Sequence, residues 1–154
     1  MAYTGNINDY SPSFFNVMML INSMNISLKD REDVGRRLVS EATGRNLSRV
    51  YSRLDYLGTL KENWDGENAL PVSKKVISNL KNVLLLSDDN DWENWLIGPD
   101  TNATLGLQSK KTHACISIGN DEYSFYTEND GKELSDSHIN FTPESFLSLM
   151  RQIG

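Results

Sequence analysis

The pattern of apolar positions divides the chain into a helical part and a later part with strand periodicity. A segment from about Asn46 carries apolar residues at i, i+3, i+4, i+7 and i+10, which places them on one face of an amphipathic helix. They are Leu47, Val50, Tyr51, Leu54 and Leu57. A segment from Ser73 has a similar stripe of Val76, Ile77, Leu80, Val83 and Leu84. Two earlier helices are predicted to begin at Ser11 and Ser27, the second running to about residue 42.

Beyond Trp95 the apolar residues alternate with polar ones, which is the period of a half-buried strand. The alternation is clearest over 103–108 and 113–118, and an aromatic-rich stretch follows. Short junctions separate these stretches and contain residues that tolerate the positive φ of hairpin turns. We therefore expect sequential antiparallel pairing, with a last weak strand over 138–141.

Together these patterns predict an α+β domain. The chain has 154 residues, a size typical of one domain, so we expect a single domain over 1–154. We expect helices within 11–87, an antiparallel β-meander of about four strands over 95–141, and a final helix over 143–152. Thr142-Pro143-Glu144 begins that last helix, since a capping threonine followed by proline is typical of a helix start.

The segment that joins the two striped helices reads Asn63-Trp64-Asp65-Gly66-Glu67-Asn68-Ala69-Leu70-Pro71-Val72-Ser73. Asp65-Gly66 favours a turn and Pro71 disfavours helical geometry before it, so the segment is expected to be an ordered loop. Trp64 would end the preceding helix and fold back onto it. The alternative is that Trp64, Asp65 and Glu67 form an exposed recognition surface, because ordered loops often carry binding residues.

This join resembles one found in a set of small uncharacterised bacterial proteins. In that set a helix, an N-W-D-G-x-x-A-x-P-x-S join, a second helix and a β-meander follow each other, and the likeness covers about residues 50–150. The resemblance implies an α+β fold and a bacterial or mobile-element setting, and it implies no reaction. The set often has Gly-x-Leu-x-Leu-Glu-Trp on an early strand, whereas this chain reads Thr104-Leu105-Gly106-Leu107-Gln108-Ser109 and lacks the Glu-Trp pair.

Few residues could carry catalytic chemistry. Cys115 is the only cysteine, and the only histidines, His113 and His138, have no metal ligand at helical i+4 spacing. No metal-binding or nucleotide-binding motif occurs, so we expect neither a metal nor a cofactor. His113 and Cys115 would share one face of a predicted strand, which is a weak basis for nucleophilic catalysis. The acidic run between Asp88 and Glu93 is expected to be a solvated connector.

Charge is distributed unevenly along the chain. Residues 1–82 hold 11 basic and 9 acidic side chains, whereas residues 83–154 hold 4 basic and 12 acidic ones. The acidic part suits a basic protein partner, because opposite charge speeds encounter and helps to exclude wrong partners. Arg45, Arg49 and Arg53 recur every four residues on one helix face, which indicates either a solvated face or an arginine ridge for phosphate or an acidic protein surface.

These observations favour a non-enzymatic protein-interaction module, such as a bacterial antitoxin, immunity or defence-associated protein that binds a basic partner. Tryptophan often anchors interfaces, although two of the three tryptophans could equally belong to the core. The expected contact residues are Trp64, Asp65, Glu67, Trp92 and Trp95. The alternative is a nucleic-acid-binding accessory protein that uses Arg45, Arg49 and Arg53. No signal peptide or membrane span is predicted, so we expect a cytoplasmic protein.

Overall fold

The computed structural model describes residues 44–154, and the helices expected to begin at Ser11 and Ser27 lie outside the described residues. The described helices are α1 (Arg45–Leu57), α2 (Lys74–Leu86) and α3 (Pro143–Ile153), with a short 3-10 helix over Asp89–Trp92. The strands are β1 (Trp95–Pro99), β2 (Leu105–Ser109), β3 (Cys115–Ile118), β4 (Glu122–Asn129) and β5 (Lys132–Asn140).

The five strands form one antiparallel sheet in the order β1-β2-β3-β4-β5, so each strand pairs with its neighbour in sequence. This arrangement confirms the predicted α+β class with its antiparallel meander and C-terminal helix. About four strands were expected, and the sheet has five. The sequence of β1 ends in Gly98-Pro99, which is unusual in a strand, and proline is tolerated there because β1 lies at the sheet edge. The single domain over 1–154 stays a prediction.

β5 is longer than the weak strand expected over 138–141, because it begins at Lys132. Residues 132–138 are almost all polar and all exposed, so hydrophobic alternation could not reveal them. The turn between β4 and β5 fixes their pairing instead. Asp130 and Gly131 have φ of 50° and 74°, and positive φ at both central positions is typical of a type I′ hairpin.

The helices pack on one face of the sheet and enclose a cluster of buried apolar side chains. The predicted stripe of α1 contributes Leu47, Val50, Leu54 and Leu57. The sheet contributes alternate residues such as Ile97, Leu107 and Ile116, which face one another in register. From α3, Phe146 meets Tyr123 edge-to-face with ring centroids 5.2 Å apart. Each fully buried large apolar side chain stabilises the fold by roughly 1.5–3 kcal/mol, so this cluster holds the helices to the sheet.

The acidic segment before β1 was expected to be a solvated connector, and this is wrong for Asp89 and Asp91, whereas Asp88 and Glu93 are exposed. Asp89 Oδ1 accepts hydrogen bonds from the Asn46 and Leu47 amides at 2.8 and 3.0 Å. It therefore caps α1 from a distant part of the sequence, where the N-cap residue Gly44 has no side chain to do so. Gly44 has φ 91°, and a Cβ placed on it would come within 2.6 Å of the Asp89 carboxyl group.

Asp91 ties the same segment to α3. The Arg151 guanidinium donates from Nε and Nη2 to the two carboxylate oxygens at 2.8 and 2.9 Å. Burial disfavours the ionised form, but these hydrogen bonds outweigh it and hold the pKa of Asp91 below its ordinary value of 3.8. A run of carboxylates in a sequence does not show which of them meet a helix N-terminus or a guanidinium, so the structural roles of Asp89 and Asp91 appear only in the fold.

Candidate functional site

The join between α1 and α2 is a loop closed by hydrogen bonds within itself. The Asn63 N–H donates to the Ala69 carbonyl at 2.8 Å, and Asn63 Oδ1 accepts from the Asn68 N–H at 2.8 Å. Trp64 Nε1 donates to the Leu70 carbonyl at 2.9 Å. The loop is therefore ordered by its own polar groups as well as by the indole.

Trp64 lies in this loop and not at the end of a helix, so that expectation is corrected. α1 ends at Leu57, well before the tryptophan. Three loop residues have left-handed backbone geometry, with φ of 63° at Asn63, 79° at Gly66 and 68° at Asn68. Asparagine and glycine adopt this region at low cost, and no helix can run through it. The Trp64 side chain is half-buried.

Asp65 acts within the loop, whereas Glu67 faces solvent. Asp65 Oδ1 accepts hydrogen bonds from the Glu67 and Ala69 amides at 2.8 and 3.0 Å. These two backbone hydrogen bonds hold the pKa of the Asp65 carboxyl group below its ordinary value. Of the three residues expected on a recognition surface here, Asp65 and Glu67 are exposed and Trp64 is partly accessible, with Asp65 Oδ1 already occupied by the loop amides.

Trp92 and Trp95 are core residues, with relative exposures of 0% and 2%. Their expected role as contact residues is therefore corrected, because neither side chain reaches the folded surface. Trp92 ends the short 3-10 helix and Trp95 begins β1, and the tight turn between them directs both indoles inward. Within residues 44–154, the buried Trp92 Nε1 has no hydrogen-bond partner.

The arginines of α1 lie along β1, and two of them bind its backbone. Arg49 Nη2 donates to the Trp92 and Trp95 carbonyls at 2.8 and 3.2 Å. Arg53 Nε donates to the Ile97 carbonyl at 3.1 Å. β1 pairs with β2 on its other side, so the two arginines cap the outer edge of the sheet. All three arginines of the expected ridge, Arg45 included, are exposed.

The β4–β5 hairpin is strongly acidic and was not among the expected sites. Residues 122–140 hold five carboxylates and one lysine. The two-residue turn places Asn129 opposite Lys132, and therefore Glu128 directly opposite Glu133. Like charges in facing positions destabilise a strand pair by roughly 0.2–1 kcal/mol. The hairpin thus contains a repulsive pair that a bound cation would relieve.

Tyr126 lies beside this glutamate pair. Its hydroxyl donates to Glu133 Oε1 at 3.1 Å. Loss of water contacts, followed by the hydrogen bond and the charge of Glu133, raises the pKa of the Tyr126 phenol above its ordinary value. The residue is 40% exposed. An accessible aromatic ring beside carboxylates suits a guanidinium or ammonium group, through cation–π and ion-pair contacts.

The opposite face of the hairpin is partly apolar. Leu134 faces Thr127 in register and is 53% exposed. A cleft separates this part of the hairpin from the end of α3, and its lining includes Leu134, Gln152 and Ile153. The hairpin therefore extends beyond the core and offers a different chemistry on each face.

The sheet face opposite the helices carries a shallow groove of about 640 Å³. Small residues occupy facing positions on four strands and form its floor, namely Gly98, Gly106, Ser117 and Ser124. Leu96 and Tyr126 are among the residues that line it. The groove ends at the hairpin, so Tyr126 belongs to both surfaces.

His113 and Cys115 do not share a strand face. β3 begins at Cys115, and His113 precedes it with φ 58° in the β2–β3 connection. Cys115 is exposed. Among residues 44–154, no group of three or more histidine, cysteine, aspartate or glutamate side chains is placed to hold a metal ion.

The sequence itself contains a signal for the glutamate pair. Glu128 and Glu133 flank the Asn-Asp-Gly-Lys turn at equal distances. A two-residue type I′ turn at Asp130-Gly131 makes equidistant residues face each other, so the pair follows once the turn type is assigned.

Comparison with family models, with curated proteins and with solved structures found no significant match. The likeness of the tryptophan-containing join to small bacterial proteins therefore stays a prediction. In the part of the chain that the structure describes, no helix combines the length and apolar character needed to cross a bilayer.

Proposed function

We propose that this protein is a non-enzymatic interaction module, located in the cytoplasm, that binds a basic protein partner as bacterial antitoxin, immunity or defence-associated proteins do. The observation that carries the proposal is the acidic hairpin, where Glu128 faces Glu133 beside the exposed Tyr126. Local features that oppose folding are expected at functional sites, where binding rather than stability selects them.

A basic partner gains at two stages of binding. The carboxylates of residues 122–140 attract it over a distance and raise the rate of encounter. In the complex, a lysine or arginine of the partner placed between Glu128 and Glu133 relieves their repulsion and contacts the Tyr126 ring. Such contacts are screened by salt, so the affinity should fall as the ionic strength rises.

The tryptophan loop and the hairpin turn lie at opposite ends of the sheet. The Leu70 N–H donates to the Thr101 carbonyl at 2.9 Å, which places the loop beside the β1–β2 connection. The strand register places the β4–β5 turn at the other end. Contact through Trp64 and Glu67 remains a separate prediction, and a partner can cover the hairpin without reaching them.

The test compares two double variants of equal charge change in affinity capture from the native host, with nuclease treatment throughout. Glu128→Gln with Glu133→Gln removes the hairpin pair, and Glu62→Gln with Glu93→Gln removes two exposed carboxylates elsewhere. We expect a partner to bind stoichiometrically to the wild type and to the Glu62→Gln, Glu93→Gln control. Its affinity for the Glu128→Gln, Glu133→Gln variant should be about tenfold weaker.

Equal retention of a partner by both double variants would remove the hairpin from the proposal. Trp64→Ala then tests the loop, and loss of that partner without loss of folding stability would assign the contact to Trp64. If the wild-type protein itself retains no basic protein, the proposed function is wrong.

The alternative function, a nucleic-acid-binding accessory, depends on Arg45, Arg49 and Arg53. All three side chains are exposed, but Arg49 and Arg53 already donate to backbone carbonyls, which leaves them fewer N–H groups for a phosphate. It predicts binding that weakens steeply with salt, because each neutralised phosphate releases counterions. Nucleic-acid binding that persists unchanged after all three arginines are replaced by glutamate would contradict it.

A further inference from the structure

We propose that the outer edge of β5 receives an extended basic segment of the partner as a sixth strand of the sheet. The inference rests on the proposed function, because it names how the basic partner binds the acidic hairpin. Strand addition at an exposed sheet edge is a common mode of peptide recognition, with backbone hydrogen bonds supplying affinity and alternate side chains supplying specificity.

The outer edge of β5 is accessible to a further strand. β5 is the last strand in the sheet order, and of its nine residues all but Ile139 are exposed. Residues on an antiparallel strand point their N–H and C=O groups alternately toward the neighbour and away from it. Since Asn129 and Lys132 close the two-residue turn as a hydrogen-bonded pair, the outward groups include those of Glu133 and Ser135.

A bulge limits the length of the β5 edge that can pair with an added strand. The β4–β5 register shifts between Tyr123 and Phe125, so the facing residues on β5 jump from Asp136 to Ile139. The extra β5 residue lies at the Ser137-His138 bulge, where His138 has φ 56°. Bulges interrupt strand pairing, so the regular edge for an added strand is the stretch 132–136.

The charge of β5 determines which kind of segment can pair with its edge. A second copy of this chain would bring the same acidic side chains against Glu133 and Asp136, and facing like charges oppose pairing. A basic segment has the complementary charge. Its alternate side chains would meet Glu133 and Tyr126 on one face and Leu134 on the other, so a sequence that alternates lysine or arginine with aliphatic residues fits best.

The test uses the full chain and a short capped peptide in which lysine and valine alternate, with binding followed by amide chemical shifts. Ser135→Pro removes an outward N–H at an edge position where proline is tolerated, and Ser135→Ala is its matched control. We expect Ser135→Ala to bind as the wild type does and Ser135→Pro to bind about fivefold to tenfold more weakly, as for the loss of a backbone hydrogen bond.

A second probe does not depend on the folding of a variant. The same peptide, N-methylated at every amide, keeps its charge but has no N–H left to donate along either edge, and we expect no binding. If the wild type binds both peptides equally and Ser135→Pro has no effect, strand addition is wrong. In that outcome a loss of binding in the Glu128→Gln, Glu133→Gln variant still supports an acidic binding surface.

Absence of binding by the unmodified peptide to the wild-type chain would also overturn the strand-addition inference. It would leave the proposed function to the affinity-capture experiment, because that experiment does not assume an extended segment. The two proposals therefore fail on different results.

Discussion

The sheet is bounded on one side by β1, whose outer carbonyls accept hydrogen bonds from Arg49 and Arg53, and on the other by β5, whose residues are nearly all exposed. Exposed strand edges invite pairing with other chains, and proteins commonly protect them with charged side chains, bulges or covering helices. α1 and its arginines cover the β1 edge. Within residues 44–154, β5 pairs only with β4. The fold uses one edge for its own stability, and the other is suited to binding.

The carboxylates on the two sides differ in the same way. Asp89 and Asp91, just before β1, accept hydrogen bonds from helix amides and from Arg151. Glu128 and Glu133 on the hairpin face each other. A count of acidic residues therefore says little about their role, because geometry decides whether each one stabilises the fold or opposes it.

The largest expected difference between the β1 side and the β5 side is in the free energy of unfolding lost when an apolar side chain is removed. Trp95→Ala should lower the free energy of unfolding by about 3–5 kcal/mol, because it leaves a cavity in the core. Leu134→Ala on β5 should change it by less than about 0.5 kcal/mol. Denaturant unfolding of both variants measures this, and a comparable loss at Leu134 would show that the hairpin belongs to the core.

Removal of the Asp89 carboxylate should weaken the β1 side next most. Asp89→Ala leaves the Asn46 and Leu47 amides without their acceptor, so the free energy of unfolding should fall by about 2 kcal/mol. Glu93→Ala, an exposed carboxylate of the same segment, is the control. Equal losses in the two variants would mean that the cap contributes nothing specific.

Uncapping the β1 edge tests the contrast directly. Arg49→Met with Arg53→Met should cost about 1 kcal/mol of stability and promote self-association, because the β1 carbonyls lose their partners. Arg45→Met is the matched control on the same helix. Light scattering over a concentration series measures the association, and a variant that stays as monodisperse as the control would contradict the protective role of the arginines.

The smallest predicted effects have opposite signs on the two sides. Asp91→Asn should destabilise by about 0.5–1 kcal/mol at pH 7, because it weakens the pairing with Arg151. Glu133→Gln should leave stability unchanged or raise it by up to about 1 kcal/mol, because it relieves repulsion from Glu128. Destabilisation by both substitutions would show that the glutamate pair is not repulsive.

The contribution of Asp91 should also depend on pH in a defined direction. Its pKa is lowered on folding, so its stabilisation is fully present above its unfolded value near 3.8 and is lost as the pH falls through the lower folded pKa. The difference between the wild type and Asp91→Asn should therefore shrink in acid. A difference that grows in acid would contradict the lowered pKa.

Local pattern predicted most of the described fold and little of its edges. The stripes of α1 and α2 and the start of α3 at Thr142-Pro143 are recorded in spacings of a few residues. The polar strand β5 has no such pattern, and its turn alone places it. The arginines of α1 read as a free ridge because nothing in their spacing shows that β1 runs beside them.

The tryptophan positions show a similar limit. Trp92 and Trp95 flank the polar pair Glu93-Asn94, and only the folded geometry of the 3-10 helix and of the turn after it shows that both belong to the core. The tryptophan loop has three left-handed residues, and the turn expected at Asp65-Gly66 accounts only for Gly66. Such backbone geometry depends on hydrogen bonds between residues across the loop, and the order of residues in the sequence does not show which of them form.

The burial of Trp92 and Trp95 gives the molecule an intrinsic optical reporter. An indole in apolar surroundings, such as Trp92 with its N–H unpaired in the described residues, emits at shorter wavelength than one in water. Residues 122–140 contain no tryptophan. Fluorescence should therefore follow disruption of the β1 side of the sheet, whereas fraying of the β4–β5 hairpin should leave the emission spectrum unchanged.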